Sequence, residues 1–330
     1  MGRTVRRLLL VAALAVGLLV TCGVVARFRP EPPAAPLDCP NLRPGDQDVR
    51  LIVGGAERRC RLHLPPRAVV GQPLPLVIVL HGGGQRGGRA IQTACGMDPV
   101  ADAHEFITAY PTGGARGWGG GYTWNAGDCC GAAAAAGADD VGFLSALIDA
   151  LVEGRRVDAR RVFVTGVSNG GMMAHRVGCE LADKVAAIAP IAGPLMFSRC
   201  EPARPISVMI LHGTDDRFVP WAGGGRFERA GARRPFLSAE QARDAWAHLD
   251  GCGSETHVEY QRGEVTCAAN EACKAGADVL LCRVEGGGHT WPGGANHLDW
   301  WIGHTTRDIS SEDMWQFFSR HPMIERGGTP

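Results

Sequence analysis

Gly166-Val167-Ser168-Asn169-Gly170 lies between a buried-strand pattern at residues 161–165 and an apolar helical pattern at residues 170–181. A serine held between a strand and a helix in this way is the context of a nucleophile elbow. Glycines two before and two after the serine let strand and helix pass without collision around a strained turn. Asn169 then opens the helix, so its N–H and the helix dipole point at any oxygen that becomes negative when an acyl carbon is attacked. The competing reading is a glycine-rich turn with a solvated serine.

A serine hydroxyl needs a base to take its proton and a carboxylate to orient that base, and this chain order is serine, acid, histidine. The segment His212-Gly213-Thr214-Asp215-Asp216 follows an apolar strand pattern at residues 206–211, which puts an acid at the C-terminal edge of a sheet. On the residues alone, Asp215 and Asp216 are near even, with Asp216 preferred. Gly286-Gly287-Gly288-His289-Thr290-Trp291 follows another strand pattern at residues 279–284, and its glycines leave the His289 imidazole free to approach Ser168. His297, His304 and His321 are rivals. His81-Gly82-Gly83-Gly84-Gln85, after a strand at residues 74–80, is placed to supply the second oxyanion donor through the Gly83 N–H. No G-K-[ST] follows these glycines, so they do not read as a phosphate loop. Asp139 and Asp140 read as helix caps.

The elements that must position these residues alternate. A hairpin at residues 49–64 turns at Gly54-Gly55, and strand patterns recur at 74–80, 106–110, 161–165, 185–191, 206–211 and 279–284. Helical patterns lie at 140–151, 170–181, 239–249 and 311–318. This is an α/β pattern and predicts a mostly parallel central sheet covered by helices on both faces, with an N-terminal β-hairpin. Residues 111–139, rich in Gly and Ala with Trp118, Tyr122, Trp124, Cys129 and Cys130, read as an ordered flap near the site.

Lys+Arg and Asp+Glu are equal at 34 each, so no global field recruits nucleic acid. Arg3, Arg6 and Arg7 precede an uncharged run at residues 8–26, an export signal or membrane anchor. Cys22 loosely matches a lipidation site and Arg6-Arg7 a twin-arginine signal; a plain positive flank is preferred. The expected division is 1–27 export signal or anchor, 28–47 proline-rich linker and 48–330 catalytic domain. Of the twelve cysteines, all but Cys22 lie beyond the apolar run, which fits an oxidising compartment with disulfides and at least one unpaired thiol. Cys267, Cys273 and Cys282 offer a zinc alternative that lacks C-x-x-C spacing; no metal and no cofactor are expected.

Together, Leu80-His81-Gly82-Gly83, Trp124 to Gly131, Asp139 to Phe143, Gly166 to Met173, Ala187 to Gly193, His212 to Pro220, Gly287 to Gly294 and Trp315 to Pro322 resemble the esterase family of poly(3-hydroxybutyrate) depolymerases, feruloyl esterases and acetylxylan esterases, within the α/β-hydrolase superfamily and similar to carbohydrate esterase family 1. The resemblance covers nearly the whole chain past the linker. It places the acid of H-G-T-x-D-x-x-V-P on Asp216 and implies Trp124 and Trp291 as substrate-binding aromatic residues. Gly83 stands where many members have Cys, which removes a potential disulfide anchor for that loop. The resemblance implies an extracytoplasmic serine esterase acting on hydroxybutyrate oligomers or polymer, or on feruloyl or acetyl esters of polysaccharides. Depolymerases of solid polymer commonly carry a further binding domain, so soluble esters or oligomers are expected. Two other readings are an acyltransferase to an alcohol acceptor and a non-catalytic polymer- or glycan-binding protein on the same scaffold.

Overall fold

The computed structural model describes residues 34–69, 71–117, 120–196, 199–225, 232–295 and 299–324. Its strands are β1 (Ala35–Pro36), β2 (Gly45–Val53), β3 (Ala56–Leu64), β4 (Leu74–Leu80), β5 (Ile107–Pro111), β6 (Ala115–Arg116), β7 (Tyr122–Thr123), β8 (Val157–Val167), β9 (Ala187–Ile191), β10 (Ser207–Gly213), β11 (Thr256–Arg262), β12 (Val265–Asn270) and β13 (Val279–Val284). All but the β6–β7 pair join one sheet in the order β1-β2-β3-β5-β4-β8-β9-β10-β13-β12-β11. From β5 to β13 every neighbouring pair is parallel, and both flanks are antiparallel hairpins.

Strand β4 shows why the centre forms. Successive side chains point to opposite faces, so Leu76, Ile78 and Leu80 enter one core while Val77 and Val79 enter the other. Both faces are covered, which is why the strand reads as a continuous apolar run. Helices Asp140–Glu153, Asn169–Glu180 and Ala239–Leu249 bury their apolar stripes on the first face. Helices Gly88–Cys95, Met97–His104 and Ser311–Ser319 cover the second. This is the α/β arrangement expected, with all parallel strands ending at the edge that carries residues 81, 168, 214 and 285.

The N-terminal hairpin turns at Gly54 and Gly55, whose φ values of 57° and 80° suit a two-residue primed turn. It is longer than expected and corrects residues 34–47 of the proposed linker; residues 28–33 lie outside the described residues. Pro36 and its neighbour pair in parallel with β2, a short turn of 3-10 helix spans Cys39–Asn41, and Cys39 and Leu42 are buried. Prolines at a sheet edge and a helix start lose no ladder bond, so they do not keep this segment off the domain. The export or anchoring segment lies outside the described residues.

Among the described residues eight cysteines form disulfides: Cys129–Cys130, Cys179–Cys200, Cys252–Cys273 and Cys267–Cys282. Cys39, Cys60 and Cys95 are free and buried. The cysteines of the zinc alternative are therefore spent on staples, one of which joins β12 to β13 at directly paired positions.

Candidate active site

Ser168 occupies the turn between β8 and the helix Asn169–Glu180 with φ 59° and ψ −123°. A positive φ is costly for a residue with a Cβ and persists where the surroundings hold it. They do so here: Ser168 N–H donates to Ile191 O at 2.8 Å, and its carbonyl accepts from Met172 N at 2.9 Å. The flanking glycines are sterically required. A Cβ on Gly166 would stand 2.7 Å from Leu80 Cβ and from the Gly170 backbone, and one on Gly170 would stand 2.3 Å from Leu80 O.

Two strands further along the sheet, β10 ends and the chain folds so that Asp216 is buried. One carboxylate oxygen, Oδ1, accepts the N–H groups of Phe218 and Val219, each at 2.8 Å. The other, Oδ2, meets His289 Nδ1 at 2.6 Å. His289 follows β13, and its own N–H donates to Ile302 O at 2.6 Å. Asp215 is exposed and makes a backbone bond to Gly287 O. Of the rival histidines, His304 pairs with Glu264 and His321 with Asp278, while His297 lies outside the described residues.

On the opposite flank of β8 the loop after β4 lies over the serine. A Cβ built on Gly82 would be 3.6 Å from Ser168 Cβ, and one on Gly83 would be 3.4 Å from Asn169 Cβ. The loop is pinned by His81, which sequence reasoning placed in the motif without a role. Its Nε2 accepts from Gly113 N at 3.0 Å and its Nδ1 lies 2.9 Å from Gly82 O, so the ring is neutral with its proton on Nδ1. Burial agrees, pulling the imidazole down to about 4.

The flap docks on the loop after β4 and on Asn169. Gly84 N–H donates to Tyr122 O and Tyr122 N–H to Gln85 O. Asn169 closes a two-bond ring with residue 124: its Oδ1 accepts from Trp124 N at 2.7 Å and its Nδ2 donates to Trp124 O at 3.0 Å. Next to it, Asn125 N–H donates to Asp140 Oδ2 at 2.7 Å, and Arg58 meets Asp140 Oδ1 at 2.5 Å. Asp139 caps its helix through Gly142 N, as expected, but Asp140 corrects the capping assignment: it is a buried anchor that holds the flap. No sequence spacing links Arg58 to Asp140, which are 82 positions apart. Arg58→Ala leaves this carboxylate buried without its cation, and the expected loss is about 3 to 5 kcal/mol of unfolding free energy in urea titration.

The two tryptophans expected to contact substrate are both buried and held by internal hydrogen bonds. Trp124 is fully buried, and its indole N–H donates to His81 O at 2.9 Å. Trp291 is buried with its indole N–H on Ser311 Oγ. Both indole N–H groups are used internally, as buried tryptophan requires.

A second buried imidazole lies on the helix Asn169–Glu180. His175 is fully buried and accepts the Trp246 indole N–H at 2.8 Å, and burial pulls it down to about 3. Its folded value lies below the ordinary histidine value, so the unfolded chain binds the extra proton. The stability this contributes is complete above pH 6.5 and is lost as pH falls towards 3. Between pH 6.5 and 4.5, urea unfolding should lose roughly 2 to 3 kcal/mol more in the native protein than in His175→Gln.

Comparison with known proteins shows the family. Residues 59–223 match the family model described as esterase PHB depolymerase. NocK of Nocardia uniformis subsp. tsuyamanensis, a protein named as an esterase, is 31% identical over 291 residues, covering 80% of this chain and 79% of NocK. The chain belongs to this family of carboxylic ester hydrolases. Feruloyl esterase B of Piromyces equi is 36% identical to it over 174 residues, 51% of this chain; the chain spans 31% of that longer protein. Among solved structures, the acetyl xylan esterase from Aspergillus awamori superposes with a TM-score of 0.57 at 13% identity, covering 83% of this esterase and 99% of that chain. That likeness is one of fold, and the fold is that of the α/β-hydrolases.

Proposed function

We propose that this esterase hydrolyses carboxylic esters outside the cytoplasm through Ser168, His289 and Asp216. The observation that carries the reading is the 2.6 Å bond between His289 Nδ1 and Asp216 Oδ2, on the sheet edge where Ser168 is held at positive φ. With its proton fixed on Nδ1 by the carboxylate, the imidazole presents Nε2 as the base. Ser168 Oγ gives its proton to Nε2 and bonds the ester carbon, while the amides of Asn169 and Gly83 hold the oxyanion. The alcohol leaves with the proton from His289, and water then repeats the sequence in reverse to release the acid.

Several relatives are named for acyl groups on plant polysaccharides, the feruloyl esterases and a bifunctional acetylxylan esterase/xylanase of Neocallimastix patriciarum among them. Substrates of that kind and hydroxybutyrate oligomers are the esters we assign to this site. Eight disulfide-bonded cysteines support an oxidising compartment. A fluorophosphonate probe should label the pure protein at Ser168 as located by peptide mass spectrometry, and feruloyl, acetyl-xylan or hydroxybutyrate esters should yield free acid and alcohol. An unlabelled protein would mark a non-catalytic scaffold, and acyl transfer to an added sugar with no free acid would mark an acyltransferase.

A further inference from the structure

Large apolar side chains left in water beside a reaction centre need an explanation, and two aromatic ones meet here with a third next in sequence. Phe218 is 39% exposed, and its ring centroid lies 5.3 Å from that of His289. Trp301, 54% exposed, meets Phe218 edge-on at 5.4 Å and 90°. Trp300, at 81%, is the most exposed large apolar side chain among the described residues. Phe218 and Trp301 are continuous with the proposed triad. Phe218 N–H bonds Asp216, and Ile302, which follows Trp301, holds the backbone of His289.

The order of strands says which half of an ester would reach them. The oxyanion loop follows β4 on one side of β8, whereas Asp216, His289 and the three rings belong to segments after β10 and β13 on the other. In the reaction proposed above, His289 delivers its proton to the alcohol oxygen as the C–O bond breaks, so the alcohol half lies on the imidazole side. We infer that Phe218, Trp300 and Trp301 form a platform for the alcohol half of the substrate, and that this alcohol is a saccharide. The inference rests on the proposed triad for its orientation.

The chemistry of the rings selects the class. Indole faces exposed in water match a ring that is apolar on one face and ringed by hydroxyls, because a pyranose can cover the aromatic face while its rim stays hydrated. An aliphatic polyester has no such rim and gains most from a walled apolar cleft. On the same segment, half-exposed His304 and its partner Glu264 offer polar atoms to hydroxyls.

Esters that differ in one half at a time test the assignment. Acetylated xylotetraose and methyl acetate share the acyl group; methyl ferulate and methyl acetate share the alcohol. In Trp301→Ala and Trp300→Ala, the ratio of kcat/KM for acetylated xylotetraose over methyl acetate should fall roughly tenfold through KM, with the methyl ferulate ratio unmoved. A fall confined to the methyl ferulate ratio would make the platform an acyl site. A fall confined to hydroxybutyrate oligomers would make it a polyester site, and either result overturns the inference. Binding is read without turnover by titrating xylotetraose into Ser168→Ala in a calorimeter. Saturable binding lost on adding Trp301→Ala supports the platform even where the triad proves wrong; binding unchanged by that substitution, or none at all, rejects it even where the triad holds.

Discussion

Replacing Ser168 by alanine should lower kcat on a p-nitrophenyl ester by about four to six orders of magnitude and leave the urea midpoint of unfolding in place. The separation of the two effects follows from the local structure. The bonds that hold residue 168 at φ 59° come from its backbone N–H and C=O, and alanine keeps both. Only the hydroxyl is lost. Turnover of the purified variant within about tenfold of the native rate would reject the nucleophile.

Asp216→Asn should cost about four orders of magnitude in kcat, by a different route. Two backbone N–H groups fix the Oδ1 side of this residue as an acceptor, so an asparagine must keep its oxygen there. Its NH₂ would then face His289 Nδ1, which could only accept. The imidazole proton would move to Nε2, and the base could no longer take the serine proton. Asp215→Asn is the control, since that side chain is exposed beside the same turn. Initial rates of both variants across pH 6 to 9 decide the matter; loss in the Asp215 variant alone would transfer the role to Asp215.

What could be read in the residues, and what could not, divides along physical lines. Strands β4, β9 and β10 are buried at nearly every position, so burial wrote them as near-continuous apolar runs, and β13 departs from this at the exposed Arg283. Strand β11 is exposed at nearly every position and pairs at the sheet edge, so no hydrophobic period announced it. The helices Gly88–Cys95 and Met97–His104 are eight residues each and share Gly96 as a left-handed joint, too short for a periodic signal. Ser168, Asp216 and His289 stood out in the sequence because each follows a strand, and the structure joins the last two by a hydrogen bond. The support around them was hidden, since it consists of contacts between remote positions: Arg58 with Asp140, His81 with Gly113, Asn169 with Trp124. The burial of Trp124 and Trp291 was hidden for a related reason, because an indole ring serves a core and a binding wall equally well. Phe218 and Trp301 lie 83 positions apart and carried no joint signal until their rings met.

The docking of the flap couples two kinds of failure. Residues 122–125 are tied to Gln85, Asn169 and Asp140, the places that set the two proposed oxyanion amides. Loosening this surface segment would misalign the electrophilic half of the centre while the sheet stayed folded. Heat inactivation of such an enzyme registers the melting of a peripheral clasp, and spectroscopy of the backbone would still register a native protein.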